Sequence, residues 1–349
     1  MSAAADRSRP GTRVRAAVLG AGAWGTTFAA VLADAGCSVT LWAREEQVVA
    51  EINAEHRNSA FLSGVELPRG VRAQADPAVA LAGADLVVVA VPSQVARAVL
   101  EPMAALVEQH AVVVSLMKGV EVSTGLRMSQ VLAEALRLPP ERIAVISGPN
   151  LAKEIAVRQP TATVVASVDE DTARFVAKAC ASAYFRPYTN TDVVGVELCG
   201  AVKNVIALAV GIAQGLGYGH NTTATVVTRG LVEITRLGLA LGADAETFAG
   251  LAGMGDLVAT CASPLSRNHT LGMHIGRGAT LDEALAATTG TAEGVKSSGS
   301  VLDLAASVGV EMPITAAVVA VLHEDLRVDQ MAQLLLNRPH KSEGVNGTT

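Results

Sequence analysis

Apolar and polar positions follow two rhythms along the chain, and the change falls near residue 195. Before it, short apolar runs alternate with stretches of helical spacing. The runs are AVL ahead of Gly20, VTLW ending at Trp42, ADLVVVAVPS at 84–93, AVVVSLMKG at 111–119 and IAVISGPN at 143–150. ATVVASVD at 162–169 and FRPYTNTD at 185–192 add a βαβ-like unit whose helix runs through Ala183. Helical crossovers are expected over 94–109 and 127–137, the second stopped by Pro139 and Pro140. Residues 45–60 read as a polar helix or loop, and FLSGVELPRGV as a turn-rich connection. Apolar strands separated by helical crossovers predict an α/β fold with a doubly wound parallel sheet. Beyond residue 195, Ala/Leu/Val-rich segments at 196–216, 223–241, 281–288, 298–308 and 314–325 predict a separate all-helical domain. The expected division is a disordered tail over 1–12, a sheet domain over 13–194, a helical domain over 195–338 and a second disordered tail over 339–349.

The stretch AVLGAGAWGTTFAAVLADAG at 17–36 carries the first candidate chemistry. Gly20 permits a tight strand-to-helix turn, Gly22 lets backbone amides approach a pyrophosphate, and Gly25 lets the new helix pack against the sheet. An anion then sits over the helix N-terminus, where unsatisfied N–H groups and the macrodipole favour it. A glycine-rich turn without a ligand has the same composition. Its place between two strands near the start of the chain favours a dinucleotide site, and with it a Rossmann-type sheet. Trp24 reads as a packing or lid residue rather than a chemical one. The second strand runs out into Arg44, Glu45 and Glu46. Arg44 fits a 2′-phosphate as a bidentate fork and favours NADP. Glu45 repels that phosphate and can serve the ribose hydroxyls of NAD instead. Read without a ligand, the three are solvated residues opening a helix. The balance leans to NADP.

Composition narrows the remaining classes. The 349 residues are 50% hydrophobic with a formal charge of −6, and no basic, aromatic-bearing stretch points to nucleic acid. Cys37, Cys180, Cys199 and Cys261 lie far apart without CxxC spacing, which fits a reducing, cytoplasmic setting better than disulfides or zinc. The first residues, MSAAADRSRPGTR, lack the apolar region of a signal peptide. Val205–Ala213, the most apolar helical run, is too short for a bilayer span. The seven histidines are scattered, so no metal site is expected, and the GxSxG elbow of serine hydrolases is absent.

Three features remain as candidates for catalysis. Lys203 falls in CGAVKNVIALAVGI, a helix apolar on nearly every other face. A buried ammonium loses proton affinity and moves toward the range of acid–base work. A snorkelling lysine or half of a structural ion pair gives the same pattern. Asn204 follows and lines the same cleft from about 100° round the helix. Lys118, at the end of its strand, suits a phosphate, a carboxylate or a carbonyl, and equally a surface cap. The third is LAGMGDLVATCASPLSRNHTLG at 251–272. If it is helical, Asp256 and Thr260 share a face at i, i+4, and Asp256 tunes a lysine by opposite charge. Ser266, Arg267 and Asn268 read as a polar turn offering a fork and an amide to a phosphate. A glycine-rich interhelical loop capped by Asp is the bland alternative.

The ordered set of motifs resembles the bacterial-type NAD(P)-dependent glycerol-3-phosphate dehydrogenases over nearly the whole chain. The set runs GAGAWGT at 20–26, VPS at 91–93, KG at 118–119, SGPNLAKE at 147–154 and GAVKNVIALAVGI at 200–212, then TRGLVE at 228–233, GMGDLVATC at 253–261 and SRN at 266–268. The resemblance implies interconversion of sn-glycerol 3-phosphate and dihydroxyacetone phosphate, supplying phospholipid synthesis. It makes Lys203 the acid–base, Lys118 a substrate-contacting lysine, and Asp256 and Thr260 their support. Arg267, Asn268 and Ser266 would grip the substrate phosphate, with Gly148, Asn150 and Asn204 beside the substrate. Gly20, Gly22, Ala23, Trp24, Gly25, Arg44, Lys118, Ala152, Arg267 and Glu293 match cofactor positions. Ala23, Met117 and Asn150 depart from the usual residues, and Glu45 stands where a second arginine is frequent, which weakens a claim to strong NADP preference. Two other readings stand beside this one: a two-domain dehydrogenase of another hydroxy acid, and a non-catalytic dinucleotide sensor. Oligomeric state is open, a homodimer included.

Overall fold

The computed structural model describes residues 13–288 and 292–331; the expected tails at 1–12 and 339–349 lie outside them. In chain order the first part runs β1 (Arg15–Leu19), α1 (Ala23–Asp34), β2 (Ser38–Trp42), α2 (Glu46–Glu55), β3 (Val71–Gln74), α3 (Pro77–Leu81), β4 (Leu86–Val89) and α4 (Ala96–Leu100). It continues with β5 (Val112–Ser115), α5 (Met128–Leu136), β6 (Ile143–Ser147), α6 (Ala152–Ala156), β7 (Thr161–Ala166), α7 (Glu170–Cys180) and β8 (Phe185–Asn190). Strands β4, β5 and β6 are buried at every position, as their unbroken Val/Ile/Leu runs require when helices cover both faces.

The eight strands form one sheet in the order β3-β2-β1-β4-β5-β6-β7-β8. Pairing is parallel from β3 through β6, and the order reverses between β1 and β4, the usual place for a ligand crevice. The expectation of a parallel sheet needs one correction: β7 pairs antiparallel with β6, and β8 then runs parallel to β7. The five-residue α6 is too short to return the chain along the full length of β6. Strand β3 was not expected either, because only Val71 and Ala73 of VRAQ are buried, as on an edge strand.

Two units emerge. The sheet unit holds the described residues to Met117 together with Met128–Val193; the helical unit holds Lys118–Arg127 and the described residues from Val194 on. The helical unit contains α8 (Val193–Gly215), α9 (His220–Ala240), α10 (Ala245–Ala249), a π-helical turn at Leu251–Gly255, α11 (Asp256–Ala262) and α12 (Arg267–Gly276). After these come α13 (Leu281–Ala287), α14 (Glu293–Ser307) and α15 (Pro313–His323). Helix α8 is 23 residues long and apolar enough to cross a bilayer, longer than the run read from the sequence, but 83% of its most apolar window is buried inside the protein. It is the core helix of this unit. Glycines let α12 cross it at backbone contact: a Cβ on Gly211 would lie 2.1 Å from the His269 carbonyl oxygen, and one on Gly272 2.3 Å from that of Leu208. That crossing carries the N-terminus of α12 toward the middle of α8.

Candidate active site

In the sheet unit the glycine-rich turn is held by backbone sterics. Gly20 has φ of +113°, and a Cβ there would lie 2.8 Å from the Ala90 carbonyl oxygen. A Cβ on Gly25 would lie 2.0 Å from the Gly20 carbonyl oxygen, so α1 packs where only glycine fits. Gly22 is different. It caps α1, and a Cβ there would meet nothing within 4 Å. The fold itself therefore makes no demand for glycine at 22; what it leaves is open space over helix N–H groups that have no side-chain cap and no acid in the first turn. This cradle fits the pyrophosphate of a dinucleotide.

Ala23 opens α1, and Trp24 packs edge-on against Phe28 with ring centroids 5.6 Å apart, as its reading as a packing residue expects. The turn has a support that sequence reasoning missed. Asn58, fully buried, donates from Nδ2 to the Ala21 carbonyl oxygen and to Thr26 Oγ1, both at 2.8 Å. No local pattern marks Asn58, because its partners lie more than thirty residues away. Ala152, at the start of α6, accepts from Thr27 Oγ1 at 3.3 Å. Arg44 and Glu45 follow β2, and the exposed Arg44 guanidinium lies 3.5 Å from the Glu45 carboxylate. At the end of β6, Gly148 has φ of +144°. Asn150 Nδ2 donates to Thr163 Oγ1 at 3.0 Å, while its buried Oδ1 has no hydrogen-bond partner among the described residues.

The helical unit holds the charged cluster. Lys203, in the middle of α8, is 6% exposed, and its Nζ donates to Asp256 Oδ1 and, at 2.6 Å, to Thr260 Oγ1. Asp256 and Thr260 lie one turn apart on α11, so the shared face expected of them is present. The other carboxylate oxygen, Asp256 Oδ2, accepts from Lys118 Nζ at 2.6 Å. One carboxylate thus joins two ammonium groups in a nearly dry pocket. Burial strips Lys203 of water and lowers its pKa to about 7; Asp256 works against that fall and Lys118 adds to it. Burial alone would raise Asp256, but Lys118 and Lys203 hold it below the ordinary carboxylate range. Burial also pushes the neighbouring Cys261 thiol up to about 12, so it stays protonated.

Two placements correct the sequence reading. Lys118 does not end a strand: β5 stops at Ser115, and Lys118 begins the excursion Lys118–Arg127 that belongs to the helical unit. Ser266–Asn268 is not a polar turn: Ser266 caps α12 by accepting from the His269 N–H at 3.3 Å, and Arg267 and Asn268 open the helix. Arg267 is exposed, with no hydrogen-bond or ion-pair partner among the described residues. Asn268 accepts the Gly294 N–H at 3.0 Å and so fixes the start of α14, whose first residue is Glu293. Asn204 is buried on α8, its Nδ2 donating to the Gly200 carbonyl oxygen at 3.4 Å. No group of three or more His, Cys, Asp or Glu able to hold a metal occurs among the described residues.

A dinucleotide cradle on a doubly wound sheet, in a chain that also buries a lysine–carboxylate–lysine cluster, defines a nicotinamide-dependent oxidoreductase. The N-terminal model of NAD-dependent glycerol-3-phosphate dehydrogenase matches residues 15–173, and the C-terminal model residues 192–333. The chain belongs to that family and is an enzyme of it. It is 58% identical over 330 residues to the glycerol-3-phosphate dehydrogenase [NAD(P)+] of Streptomyces griseus, covering 95% of this chain and 98% of that one. The Corynebacterium diphtheriae counterpart is 58% identical over 327 residues, 93% of this chain and 99% of its own. The crystal structure of glycerol-3-phosphate dehydrogenase from Coxiella burnetii superposes with a TM-score of 0.89 at 39% identity, covering 93% of this chain and 99% of that one. D-mandelate dehydrogenase, at 14% identity and a TM-score of 0.59, shares the fold alone. The expected family and fold are borne out; neither the other hydroxy acids nor a non-catalytic sensor accounts for these matches.

Proposed function

We propose that Lys203 is the proton donor and acceptor of the NAD(P)-dependent glycerol-3-phosphate dehydrogenase reaction, which interconverts dihydroxyacetone phosphate and sn-glycerol 3-phosphate. The observation that carries this reading is a buried lysine seated on Asp256 and Thr260, where burial lowers its proton affinity. When bound, the nicotinamide supplies the hydride exchanged with C2 of the substrate. In the reductive direction Lys203 gives a proton to the developing alkoxide, and in the oxidative direction it takes one from the hydroxyl. Lys118 adds positive potential to the same oxygen. Asp256 keeps both ammoniums in place, and Thr260 fixes the Lys203 rotamer. Ser266, Arg267 and Asn268 bind the phosphate, so remote binding energy orients the carbonyl. Gly148, Asn150 and Asn204 complete the substrate site. Gly20, Gly22, Ala23, Trp24, Gly25, Arg44, Ala152 and Glu293, with Lys118 and Arg267, serve the cofactor. The product feeds phospholipid synthesis in the cytoplasm. The direct test is turnover of dihydroxyacetone phosphate with NADH and NADPH in turn, followed by absorbance; turnover of keto acids and not of this ketone would overturn the assignment.

Arg267→Ala is expected to lower kcat/KM for dihydroxyacetone phosphate by at least about 10-fold, the value of one charged hydrogen bond. Unphosphorylated dihydroxyacetone, already a poor substrate, should hardly respond. An equal fall for both would show that Arg267 does not read the phosphate.

Cofactor choice turns on two exposed side chains. Arg44 pairs with a 2′-phosphate, but Glu45 lies within 3.5 Å of the same guanidinium and competes for it. Both cofactors are therefore accepted, with a preference for NADPH. Glu45→Arg should raise the NADPH/NADH efficiency ratio and Arg44→Ala lower it, each by roughly tenfold and less at high salt. A ratio indifferent to both variants would place discrimination elsewhere.

A further inference from the structure

We propose that the half-buried Arg127–Glu197 ion pair is a positioning device for Lys118, clamping the excursion Lys118–Arg127 to the helix that carries Lys203. The inference rests on the proton-transfer reading above. Between β5 and α5 the chain leaves the sheet unit for ten residues and joins the helical unit. Lys118 stands at the head of this excursion and Arg127 at its end. An antiparallel bridge between Val120 and Arg127 closes it. Inside, the Glu121 N–H donates to the Leu126 carbonyl oxygen and the Gly125 N–H to that of Glu121, both at 2.9 Å. Thr124 Oγ1 donates to Glu121 Oε2 at 2.6 Å. The excursion is therefore a closed hairpin-like loop, in which a displacement at Arg127 is passed through the bridge to Val120, two residues from Lys118.

Tethers beside Lys118 itself fix this loop to the helical unit. Arg127 Nη1 donates to Glu197 Oε2, with side-chain exposures of 18% and 7%. Ser300 Oγ, on α14, donates to the Val120 carbonyl oxygen at 3.2 Å. Glu197 sits in the first half of α8, about 9 Å along the helix axis from Lys203 at 1.5 Å per residue. One helix thus carries both the reacting lysine and the anchor of the loop that brings the second lysine. A loop tied only through Lys118 would leave that long side chain to find Asp256 against its own rotamer entropy. With these tethers the ammonium is held where it meets Asp256 Oδ2.

A merely structural pair and a positioning pair differ in what they do to Lys203. The groups that act on its charge are Asp256 and Cys261 from α11 and Lys118 from the loop, with Thr260 as hydrogen-bond partner. The Lys118 charge lowers the proton affinity of Lys203. Slackening the loop withdraws that charge, so Lys203 should titrate at higher pH.

The experiment measures pH profiles of kcat and kcat/KM in both directions for Glu197→Gln, Arg127→Lys and Ser300→Ala, with NADPH binding and thermal melts as controls. Glu197→Gln is expected to lower kcat by about tenfold and move the limb controlled by Lys203 upward by about one pH unit, the size expected when a charge a few ångströms away withdraws. NADPH affinity should stay within twofold. Arg127→Lys keeps the charge and should recover most of the wild-type profile. Ser300→Ala buries no unpaired charge and should shift the limb in the same direction by less; it decides the matter if Glu197→Gln does not fold. A folded variant with lowered kcat and an unmoved limb makes the pair structural and overturns the proposal. Lys203→Ala and Lys118→Ala, run alongside, separate the two failures. If they lose turnover while Glu197→Gln keeps the wild-type limb, the positioning role alone falls; if Lys203→Ala retains turnover, the site reading falls and takes the positioning role with it.

Discussion

Lys203→Ala should lower turnover by about 10²–10⁴-fold while NADPH still binds, since that is the usual contribution of a positioned acid–base group. The fold should survive the change. Asp256 loses one ammonium but keeps Lys118 at 2.6 Å, so no buried carboxylate is left alone. The pH dependence of the unmodified enzyme follows from the same group. Its pKa is lowered to about 7, first by burial, and the sign of each limb depends on the proton it must hold. Reduction needs the ammonium, so its rate should fall as pH rises through about 7. Oxidation needs the free amine, so its rate should rise over the same interval. Steady-state profiles in both directions test this. Turnover of Lys203→Ala within tenfold of the parent, or limbs of the same sign in both directions, would remove Lys203 from the proton step.

What could be read from the chain beforehand was whatever local pattern encodes. The glycine spacing at 20, 22 and 25 has a steric cause within a few residues, so it was legible, as was the apolar helix that makes Lys203 conspicuous. Asp256 and Thr260 were legible as a pair because their relation is one helical turn. The helices α10 to α12 were harder to see. Gly253 and Gly272 argue against helix locally, and it is close contact with neighbouring helices that overrides this preference. At Gly253 a Cβ would lie 2.1 Å from the Phe248 carbonyl oxygen, so packing selects the residue that propensity disfavours. Asn58 and the tethers of the Lys118 loop depend on partners remote in sequence, which no periodicity records. The antiparallel turn of β7 was hidden for a similar reason: its residues are as β-prone as a parallel strand's, and only the short α6 decides direction.

Asp256→Asn is expected to cost activity and, unlike Lys203→Ala, stability as well. The carboxylate is 1% exposed and is the shared partner of Lys118 and Lys203. An amide of the same shape keeps the packing but removes the negative charge, leaving two ammoniums facing each other. Removing one member of a buried ionic group costs on the order of 3–5 kcal/mol when the remaining charge cannot escape. Here Lys203 can escape by releasing its proton, and this makes the loss depend on pH. In the parent, Lys203 already titrates near 7 because burial outweighs the attraction of Asp256. Without that attraction its folded-state pKa drops further, while the unfolded value stays that of ordinary lysine. Above pH 7 Lys203 is neutral in both folded proteins, so this contribution to the stability difference vanishes, and only the loss of the Lys118 contact remains. As pH falls below 7 the parent binds a proton that the variant refuses, and the difference grows by about 1.4 kcal/mol per pH unit until the variant also titrates. Asp256 acts in the opposite sense at still lower pH and narrows the gap there. Its folded pKa is depressed, so the stability it gives the parent is fully present above the unfolded carboxylate value and is lost only as pH falls through the folded one. Urea denaturation of parent and variant at pH 6 and pH 9 checks the sign: the gap should be wider at pH 6. A gap of equal size at both would mean that Lys203 does not change its protonation with Asp256, and the electrostatic coupling of the cluster would be wrong.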